Sequence, residues 1–444
     1  MAISRARAAA FEVLTRVERE QSYATELLHS GVTAKLSPAD HGLTTEIVMG
    51  VLRWRSLLDA HIAVASSQRL EKLDLEVLTA LRMGAYQLLF LSKIPARAAI
   101  FESVELAKAA RKRSAVPFVN AVLRKISKVQ GSDPYTEIQR AIEAEALAAS
   151  SSHPLWLGNR WIEHYGLASA RTICGYDQSV PATSIRIRDA KTEEELKNAG
   201  IELSGGQLLN SAWRIDSGDV TKTAAYQDGR VSIQDEGSQL IALLVGTGEK
   251  ILDCCAAPGG KTSVIADRNA NSLLIATELH PHRTRLMQRL VRRPNVHAVA
   301  ADARHLPVLA GFNRILADVP CSGTGTLARN PEIKWRLESS DLVDLRSRQS
   351  AILRSALSVL QPGGRLVYST CSLEPEENQE VVEEVVRNTA QFETIDCRQE
   401  LKEMQRAGEL AIAPDSLLSG RYLQTLPGVH PCDGFFAAMI ERVM

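Results

Sequence analysis

The first 130 residues repeat apolar side chains at helical spacing. Ala10, Leu14 and Val17 follow this spacing near the N-terminus, and a second apolar run extends from Leu75 to Leu88. Few alternating, strand-like runs interrupt the pattern. We therefore predict a compact helical bundle, with its domain limits at residues 1–132.

The periodicity changes in the second hundred residues. The turn-forming segment QGSDPY (130–135) marks a boundary, and residues 135–175 again show a helical pattern. TSIRIR (183–188) is the first clear alternation of apolar and polar residues, which is typical of a strand. These features predict a small mixed α/β linking region over residues 133–235.

From Lys250 onward, short apolar runs alternate with charged helical segments. The runs are KILD, LLIATEL, VHAVAAD, NRILADVPC and GGRLVYSTCS. Short strands that alternate with helices are typical of parallel sheets that are covered on both faces. The predicted fold is therefore α/β, with a Rossmann-like, doubly wound catalytic sheet over residues 236–444 that follows the all-α N-terminal domain.

Composition narrows the class of protein. Hydrophobic residues make up 45% of the 444 residues and charged residues 23%, as in ordinary globular proteins. The N-terminus has no unbroken apolar run, so we expect neither a signal peptide nor a membrane span and predict a cytoplasmic protein. No two cysteines have C-x-x-C spacing, which disfavours a structural metal site. We expect a monomer, since no heptad repeat is present.

Charge is unevenly distributed although the formal net charge is zero. No acidic residue occurs between Glu105 and Asp133. This stretch contains seven basic residues that we predict to contact RNA: Lys108, Arg111, Lys112, Arg113, Arg124, Lys125 and Lys128. Such a run can neutralise several phosphates, but a merely solvated helix face has the same composition.

A glycine-rich segment follows the first strand of the predicted catalytic sheet. Ligands of such sheets bind at the carboxyl ends of the strands, and two glycines there allow a tight turn at a helix start. The spacing matches neither G-x-G-x-x-G nor a phosphate-binding P-loop, which favours an uncharged or zwitterionic cofactor. The predicted cofactor-binding segment comprises Cys255, Ala256, Ala257, Pro258, Gly259, Gly260 and Lys261.

Acidic residues occur at or just after the ends of four successive predicted strands. They are Asp253, Glu278, Asp302 and Asp318. Glu278 lies about twenty residues after the glycines, where dinucleotide-binding sheets place the acid that binds ribose. Four acceptors suit a nucleoside that carries an amino acid, because its ammonium, ribose and adenine groups all donate hydrogen bonds. S-adenosylmethionine fits this description, and at this point NAD stays open.

Two cysteines favour methyl transfer. Cys321 and Cys371 each follow a predicted strand, in turns rich in serine, threonine and glycine. A lone cysteine is more often a small buried apolar residue, but hydroxyl and amide donors in these turns favour a reactive thiolate. Addition of a thiolate to C6 of cytosine would make C5 able to accept a methyl group. Spacing alone does not tell which of the two thiols attacks.

The motifs that contain these residues resemble those of the Sun/NOL1/NOP2 family of RNA cytosine-C5 methyltransferases. The matching segments are CAAPGGK (255–261), DVPCSGTG (318–325), NPEIKW (330–335) and YSTCSLEPEEN (368–378). The resemblance implies S-adenosylmethionine as cofactor, with ribose contact at Glu278 and further cofactor contacts at Asp302 and Asp318. Glu278 stands where this family usually has aspartate.

The N-terminal half resembles the NusB-like domain of the family's 16S ribosomal RNA subgroup. The similar segments are GVLRWRSLLD (50–59), ALRMGAYQLLFL (80–91), AAIFESVELAK (98–108) and FVNAVLRKI (118–126). The implied substrate is a cytosine of small-subunit ribosomal RNA. The resemblance also implies that Cys371 is the nucleophile and that Cys321 assists product release, although DNA cytosine methyltransferases attack with the P-C cysteine.

Two other functions compete with this interpretation. A methyltransferase that acts on nitrogen or oxygen needs no thiol, so both cysteines would be incidental. A ribosome-assembly or transcription factor could use the helical domain for binding, with a catalytically idle sheet. Adduct formation tests the first alternative, and cofactor binding tests the second.

Overall fold

The computed structural model describes residues 3–129 and 133–443. The chain divides into two compact units: unit 1 contains residues 1–180 and 327–336, and unit 2 contains residues 181–326 and 337–444. The predicted limit at residue 132 lies outside the described residues. The three-domain division stays a prediction, and compactness groups residues 133–180 with the helices that precede them.

Unit 1 is built from helices, as the apolar periodicity predicts. Its α-helices are α1 (Arg5–Glu20), α2 (Ala24–Leu28), α3 (Pro38–Arg53), α4 (Arg55–Ser66), α5 (Leu75–Phe90), α6 (Ala96–Ala109), α7 (Val116–Ile126), α8 (Pro134–Arg140), α9 (Ala144–Ser151) and α10 (Leu155–Asp177). The apolar stripe of α1 is buried at Ala10, Leu14 and Val17. Burial of such a stripe, rather than intrinsic helix propensity, stabilises short helices.

Unit 1 also contains a ten-residue segment from the C-terminal half of the chain. Residues 327–336, which include the NPEIKW motif (330–335), pack among its helices. The buried ammonium of Lys334 donates to the backbone carbonyls of Arg53 (2.9 Å) and Ser152 (3.0 Å), and burial lowers its pKa to about 7. The sequence placed this motif with the catalytic sheet, and only long-range contacts assign it to the helical unit.

Unit 2 contains two sheets with helices between their strands. The strands are β1 (Thr183–Ile187), β2 (Glu202–Gly205), β3 (Ala212–Ser217), β4 (Val231–Ile233), β5 (Lys250–Asp253), β6 (Leu273–Glu278), β7 (Val296–Ala300), β8 (Phe312–Asp318), β9 (Leu360–Thr370), β10 (Phe392–Ile395), β11 (Leu418–Ser419), β12 (Tyr422–Thr425) and β13 (Phe435–Arg442). The helices are α11 (Ala190–Asn198), α12 (Ala224–Gln227), α13 (Glu236–Leu244), α14 (Gly260–Arg268), α15 (Pro281–Val291), α16 (Asp341–Val359), α17 (Gln379–Arg387) and α18 (Cys397–Arg406).

The larger sheet is mixed. Its order is β11-β12-β13-β9-β8-β5-β6-β7, and β10 pairs with β13. Strands β5 to β9 are parallel, whereas β10 to β13 are antiparallel. The predicted Rossmann-like sheet is therefore confirmed, and the antiparallel strands extend it. The sequence analysis predicted no strands after residue 390.

Both faces of this sheet are covered. Successive residues of β9 point to opposite sides: Val367 packs into one apolar cluster, and Leu366 and Tyr368 pack into the other. The chain adds β6 and β7 on one side of β5 and then adds β8 and β9 on the other side, so the strand order reverses at β5. Such a switch point, at the carboxyl ends of the strands, is where doubly wound sheets bind ligands.

The smaller sheet has the order β2-β3-β1-β4 and is antiparallel throughout. Its first strand coincides with the predicted strand at TSIRIR (183–188). Apolar residues that include Ile185, Leu196 and Val231 form its core. Among the described residues, no helix is both long enough and apolar enough to cross a membrane.

Candidate active site

The two predicted catalytic cysteines lie side by side. Cys371 directly follows β9, and Cys321 lies three residues after the end of β8. These strands are parallel neighbours in which Asp318 pairs with Ser369, so both turns leave the same edge of the sheet. The two sulfur atoms are 3.4 Å apart, and both side chains are partly exposed free thiols. Two thiols at this distance can act on one bound group.

The two thiols have different electrostatic surroundings. Its hydrogen bond with Cys371, and secondly burial, raise the pKa of Cys321 well above the usual range of a thiol. The ammonium of Lys261 also lies close enough for electrostatic attraction to the Cys371 sulfur. Cys371 thus has a cation beside it and Cys321 has a raised pKa, which distinguishes two cysteines that spacing left equivalent.

A partly buried ion pair accompanies the thiols. The Lys261 ammonium lies 2.8 Å from Asp318 Oδ2, and the Ser369 hydroxyl donates to Asp318 Oδ1 at 2.7 Å. Burial alone would lower the pKa of Lys261, but the charge of Asp318 and the hydrogen bond to it raise the pKa instead. The ammonium also lies over the ring of Phe435, 5.2 Å from its centroid. Lys261 therefore stays charged at neutral pH.

A fully buried carboxylate connects the two cysteine turns. Glu377 Oε1 accepts hydrogen bonds from the backbone N–H of Ser322 and from the side-chain amide of Gln349, both at 2.8 Å. Glu377 Oε2 accepts from the hydroxyls of Ser322 and Ser372. Ser322 follows Cys321 and Ser372 follows Cys371, so one carboxylate fixes both turns. The sequence analysis quoted Glu377 only within a motif and gave it no role.

The next residue braces the turn at Cys371. The Asn378 side-chain oxygen accepts from the hydroxyl of Thr370, and its amide donates to the carbonyl of Ser372 at 2.9 Å. The Tyr368 hydroxyl donates to the carbonyl of Glu377 at 2.6 Å. These contacts hold the chain on both sides of Cys371. A reactive side chain needs such rigid support to keep its position.

Glu377→Gln is expected to reduce kcat about 10-fold or more while leaving the KM for S-adenosylmethionine unchanged. A glutamine has one acceptor oxygen for four donors, so buried donors lose their partner and the turns loosen, which costs roughly 1–3 kcal/mol. Steady-state kinetics below the unfolding temperature measures the effect. Val382→Ala creates a cavity at a buried residue of the neighbouring helix α17. It is the matched control, since it lowers stability without touching the cysteine turns. Equal kcat values in the two variants would contradict a positioning role for Glu377.

The glycine-rich turn lies between β5 and α14. Gly259 has φ 106°, and a Cβ there would lie 2.4 Å from a side-chain methyl of Val291. Both observations require glycine, which confirms the predicted tight turn at this helix start. Cys255 is partly exposed in the same turn, and burial raises its pKa well above the usual range. Gly260 and Lys261 begin α14. The other predicted loop residues, Ala256, Ala257 and Pro258, lie between Cys255 and Gly259.

The four predicted cofactor acids have different surroundings. Glu278 ends β6, is 6% exposed and accepts from the backbone N–H of His280 at 3.0 Å. Burial raises the pKa of Asp253 to about 7. Asp302 is more exposed, and hydrogen bonds from Arg304 lower its pKa to about 2. Asp318 is bound to Lys261, and Glu278 Oε1 also lies 3.7 Å from a guanidinium nitrogen of Arg283.

The predicted RNA-contact residues in unit 1 fall into two groups. Three are engaged within the unit: Lys108 with Glu105 (2.6 Å), Lys112 with Asp74 (3.0 Å) and Lys125 with the carbonyl of Ala65 (2.8 Å). In the described part of the chain, no carboxylate pairs with the exposed side chains of the other four, Arg111, Arg113, Arg124 and Lys128. RNA contact stays a prediction for all seven, and the four unpaired residues are the better candidates.

Charge reversal tests the unpaired group. Arg111→Glu/Arg113→Glu/Arg124→Glu is expected to weaken RNA affinity about 10-fold or more at low salt, because each reversal removes one phosphate contact and adds repulsion. Electrophoretic mobility shift with 16S ribosomal RNA measures the effect. Affinity for S-adenosylmethionine, measured by calorimetry, should not change. Parallel loss of both affinities would instead indicate misfolding.

Comparison with known proteins agrees with these features. Residues 240–441 match the family model described as 16S rRNA methyltransferase RsmB/F, and residues 4–128 match the NusB family. The chain is 34% identical over 453 residues to the "Probable ribosomal RNA small subunit methyltransferase B" of Bacillus subtilis (strain 168), a match that covers 98% of each chain. The chain belongs to the RsmB/F family of 16S rRNA methyltransferases.

Further relatives extend the match. The "Ribosomal RNA small subunit methyltransferase B" of Pseudomonas syringae pv. tomato (strain ATCC BAA-871 / DC3000) is 32% identical, covering 92% of this chain and 91% of the relative. The crystal structure of PH0851 matches this fold over 100% of both chains, with a TM-score of 0.80 and 21% identity. A Pyrococcus horikoshii NSun6 structure determined with SFG has a TM-score of 0.56 and 19% identity, covering 66% of this chain and 98% of that one. These comparisons confirm the family resemblance, the NusB-like domain and the methyltransferase fold.

Proposed function

We propose that this RsmB/F family protein methylates C5 of a cytosine in 16S ribosomal RNA through a temporary bond between a cysteine and the base. One observation carries the proposal: two free thiols lie 3.4 Å apart at the carboxyl edge of a methyltransferase sheet. Methylation of nitrogen or oxygen requires no thiol, and such a pair would have no purpose there. The family and the names of the relatives support ribosomal RNA as substrate.

The cofactor we propose is S-adenosylmethionine, and the residues present fit it. Acceptors at the strand ends suit its three groups of donors, and the backbone amides at the start of α14 suit its carboxylate. Glu278 would hold the ribose hydroxyls. When bound, S-adenosylmethionine supplies an activated methyl group. Cofactor roles for Asp253, Asp302 and the turn from Cys255 to Lys261 belong to this proposal.

The first step would be addition of the Cys371 thiolate to C6 of the ring. Sulfur and C6 form a bond, the C5–C6 double bond is lost, and negative charge spreads over the ring. The Lys261 ammonium would stabilise both the thiolate and this charge, since it lies beside Cys371 and stays charged through Asp318. C5 would then carry enough electron density to bond to the methyl carbon, and the electrons of that carbon's former bond would remain on the sulfur that supplied it.

The second half of the reaction would restore the aromatic ring. A basic water would take the proton from C5, the electron pair of that C–H bond re-forms the C5–C6 double bond, and the sulfur of Cys371 departs with the electrons of its bond to C6. Cys321 would assist at this stage, because its own sulfur lies next to the leaving sulfur and it holds a proton to give. Cys371 is thus the nucleophile and Cys321 the release residue in this proposal.

The proposal is tested on RNA that lacks the modification. Small-subunit ribosomal RNA from a deletion strain is incubated with the protein and S-adenosylmethionine, then sequenced after bisulfite treatment. We expect one cytosine to become resistant to deamination. Methylation found by mass spectrometry on a nitrogen or a ribose oxygen would overturn the proposal. We further propose a cytoplasmic location, where this substrate is assembled.

A further inference from the structure

A second concentration of positive charge lies on the catalytic unit. No acidic residue occurs between Glu278 and Asp302, and this stretch contains five arginines, namely Arg283, Arg285, Arg289, Arg292 and Arg293. The whole chain has a formal net charge of zero, so its average composition does not explain this density. The stretch consists of α15, the turn after it and β7 at the edge of the sheet.

Helix α15 exposes its arginines together with Leu286 and Leu290. Thr284, Met287 and Val291 are buried, whereas Arg285 and Arg289 are exposed one turn apart. No carboxylate pairs with either arginine in the described ranges 3–129 and 133–443. Such side chains repel each other on the free protein, and an anionic partner would remove that repulsion.

The charge continues onto the smaller sheet. The carboxylate of Asp267 is contacted by three guanidinium groups: Arg186 at 2.7 Å, Arg188 at 3.2 Å and Arg293 at 2.6 Å. One negative charge cannot neutralise three positive ones, so this cluster retains an excess of two. Arg293 lies two residues after the end of α15, so the cluster adjoins the helix.

Arg292, the residue that follows α15, has an unusual backbone conformation. Arg292 has φ 41° and ψ 50°, the left-handed conformation in which helices usually end with glycine. Any side chain with a Cβ is strained there, by roughly 1 kcal/mol relative to glycine. The Arg292 side chain also donates to the carbonyl of Arg289 in the last turn of the helix, at 2.8 Å, and four other non-glycine residues of the described chain share a positive φ.

A cleft of about 260 Å³ opens beside this arginine. Its lining combines Val296 and the almost fully buried Met287 and Val291 with the polar side chains of Gln288, Arg292, Arg293 and His297. A lining of apolar and basic side chains suits an unstacked base and the adjoining phosphates. All the cations of this surface are arginines, the residue that binds phosphate with two parallel hydrogen bonds and stacks on bases.

We infer that α15, the arginines around Asp267 and the cleft beside Arg292 form a binding surface for single-stranded RNA. The inference rests on the proposed function, since it places a further part of the RNA substrate on the catalytic unit. This surface shares no residue with the thiol pair. It would therefore contribute affinity and register, not chemistry.

The test measures binding by the full-length protein to a labelled single-stranded oligoribonucleotide of mixed sequence at several salt concentrations. Arg285→Glu/Arg289→Glu should weaken binding about 10-fold and reduce the salt slope by about 0.7 for each phosphate that is no longer bound. Arg292→Gly should also weaken binding at a nearly unchanged unfolding temperature, because relief of the left-handed strain offsets the lost hydrogen bond to the carbonyl of Arg289. Arg348→Glu, an exposed arginine of α16 paired with Asp344, is the matched control and should bind normally.

The outcomes separate this inference from the proposed function. Weaker binding by both variants, with an intact fold and normal affinity for S-adenosylmethionine, supports the RNA surface. Wild-type affinity and salt slope in both variants would overturn it and leave an acidic protein as the remaining class of partner. Failure of the wild-type protein to methylate C5 would instead count against the proposed function, since binding is measured without any methyl transfer.

Discussion

Cys371→Ala is expected to lower methyl transfer by about four orders of magnitude or more, the usual consequence of removing a nucleophile. Without a thiolate at C6, C5 of cytosine has too little electron density to accept a methyl group, and no other residue can replace that bond. The second thiol is only 3.4 Å away. However, Cys321 holds its proton, so its presence should not rescue the reaction. Transfer of a radioactive methyl group to 16S ribosomal RNA measures the loss.

The control for this variant is a thiol removed elsewhere in the same unit. Cys397 is fully buried at the start of α18, and Cys397→Ala should retain most of the wild-type rate. Cys371→Ala should also bind S-adenosylmethionine normally and unfold at nearly the wild-type temperature, since a partly exposed methyl group replaces the thiol. Substantial turnover by Cys371→Ala would disprove the assigned role of this residue. Persistence of turnover after removal of both thiols would disprove the adduct mechanism.

Cys321→Ala is expected to accumulate as a covalent adduct with RNA, whereas Cys371→Ala should form no adduct. In the proposed sequence of steps this thiol acts only after methyl transfer, when the bond between C6 and Cys371 must break. Its removal slows that step and leaves the earlier ones intact, so the adduct builds up. A slower-migrating band on a denaturing gel, which disappears after ribonuclease treatment, measures the effect.

The double variant Cys321→Ala/Cys371→Ala is the decisive control for the adduct. It should show no slower band, because the bond to RNA requires the sulfur of Cys371. Adduct formation by the double variant would mean that another nucleophile is used. A band with Cys371→Ala and none with Cys321→Ala would mean that the roles are reversed. Cys321 would then be the attacking thiol, as the P-C cysteine is in DNA cytosine methyltransferases.

Local patterns were sufficient for the elements and for the position of the site. Helical periodicity identified the bundle of unit 1, because each helix must bury one apolar face. Short apolar runs identified β5 to β9, because parallel strands are covered on both faces. The residues that end these strands, Glu278 and Asp318 among them, could be placed at one edge, since parallel strands share a carboxyl end.

The antiparallel strands β10 to β13 were beyond this reasoning. They are short or lie where the alternation of apolar and polar residues is weak. They join the sheet because β13 pairs with β9, and the paired residues are about seventy positions apart in the chain. The same holds for residues 327–336. Lys334 is a charged residue in a catalytic-domain motif by sequence, and its burial in unit 1 depends on carbonyl groups 281 and 182 positions away.

Residue type and spacing alone established the helical and the α/β halves, the glycine-rich turn and the two thiols at strand ends. Each of these features follows from patterns within a few turns of chain. Three features of the site emerged only from the folded chain: the sulfurs are 3.4 Å apart, Lys261 and Asp318 form an ion pair beside them, and Glu377 fixes both turns. A thiol's charge state, a carboxylate's partner and a shared basic surface depend on distances between segments remote in sequence, and spacing along a chain carries no information about those distances.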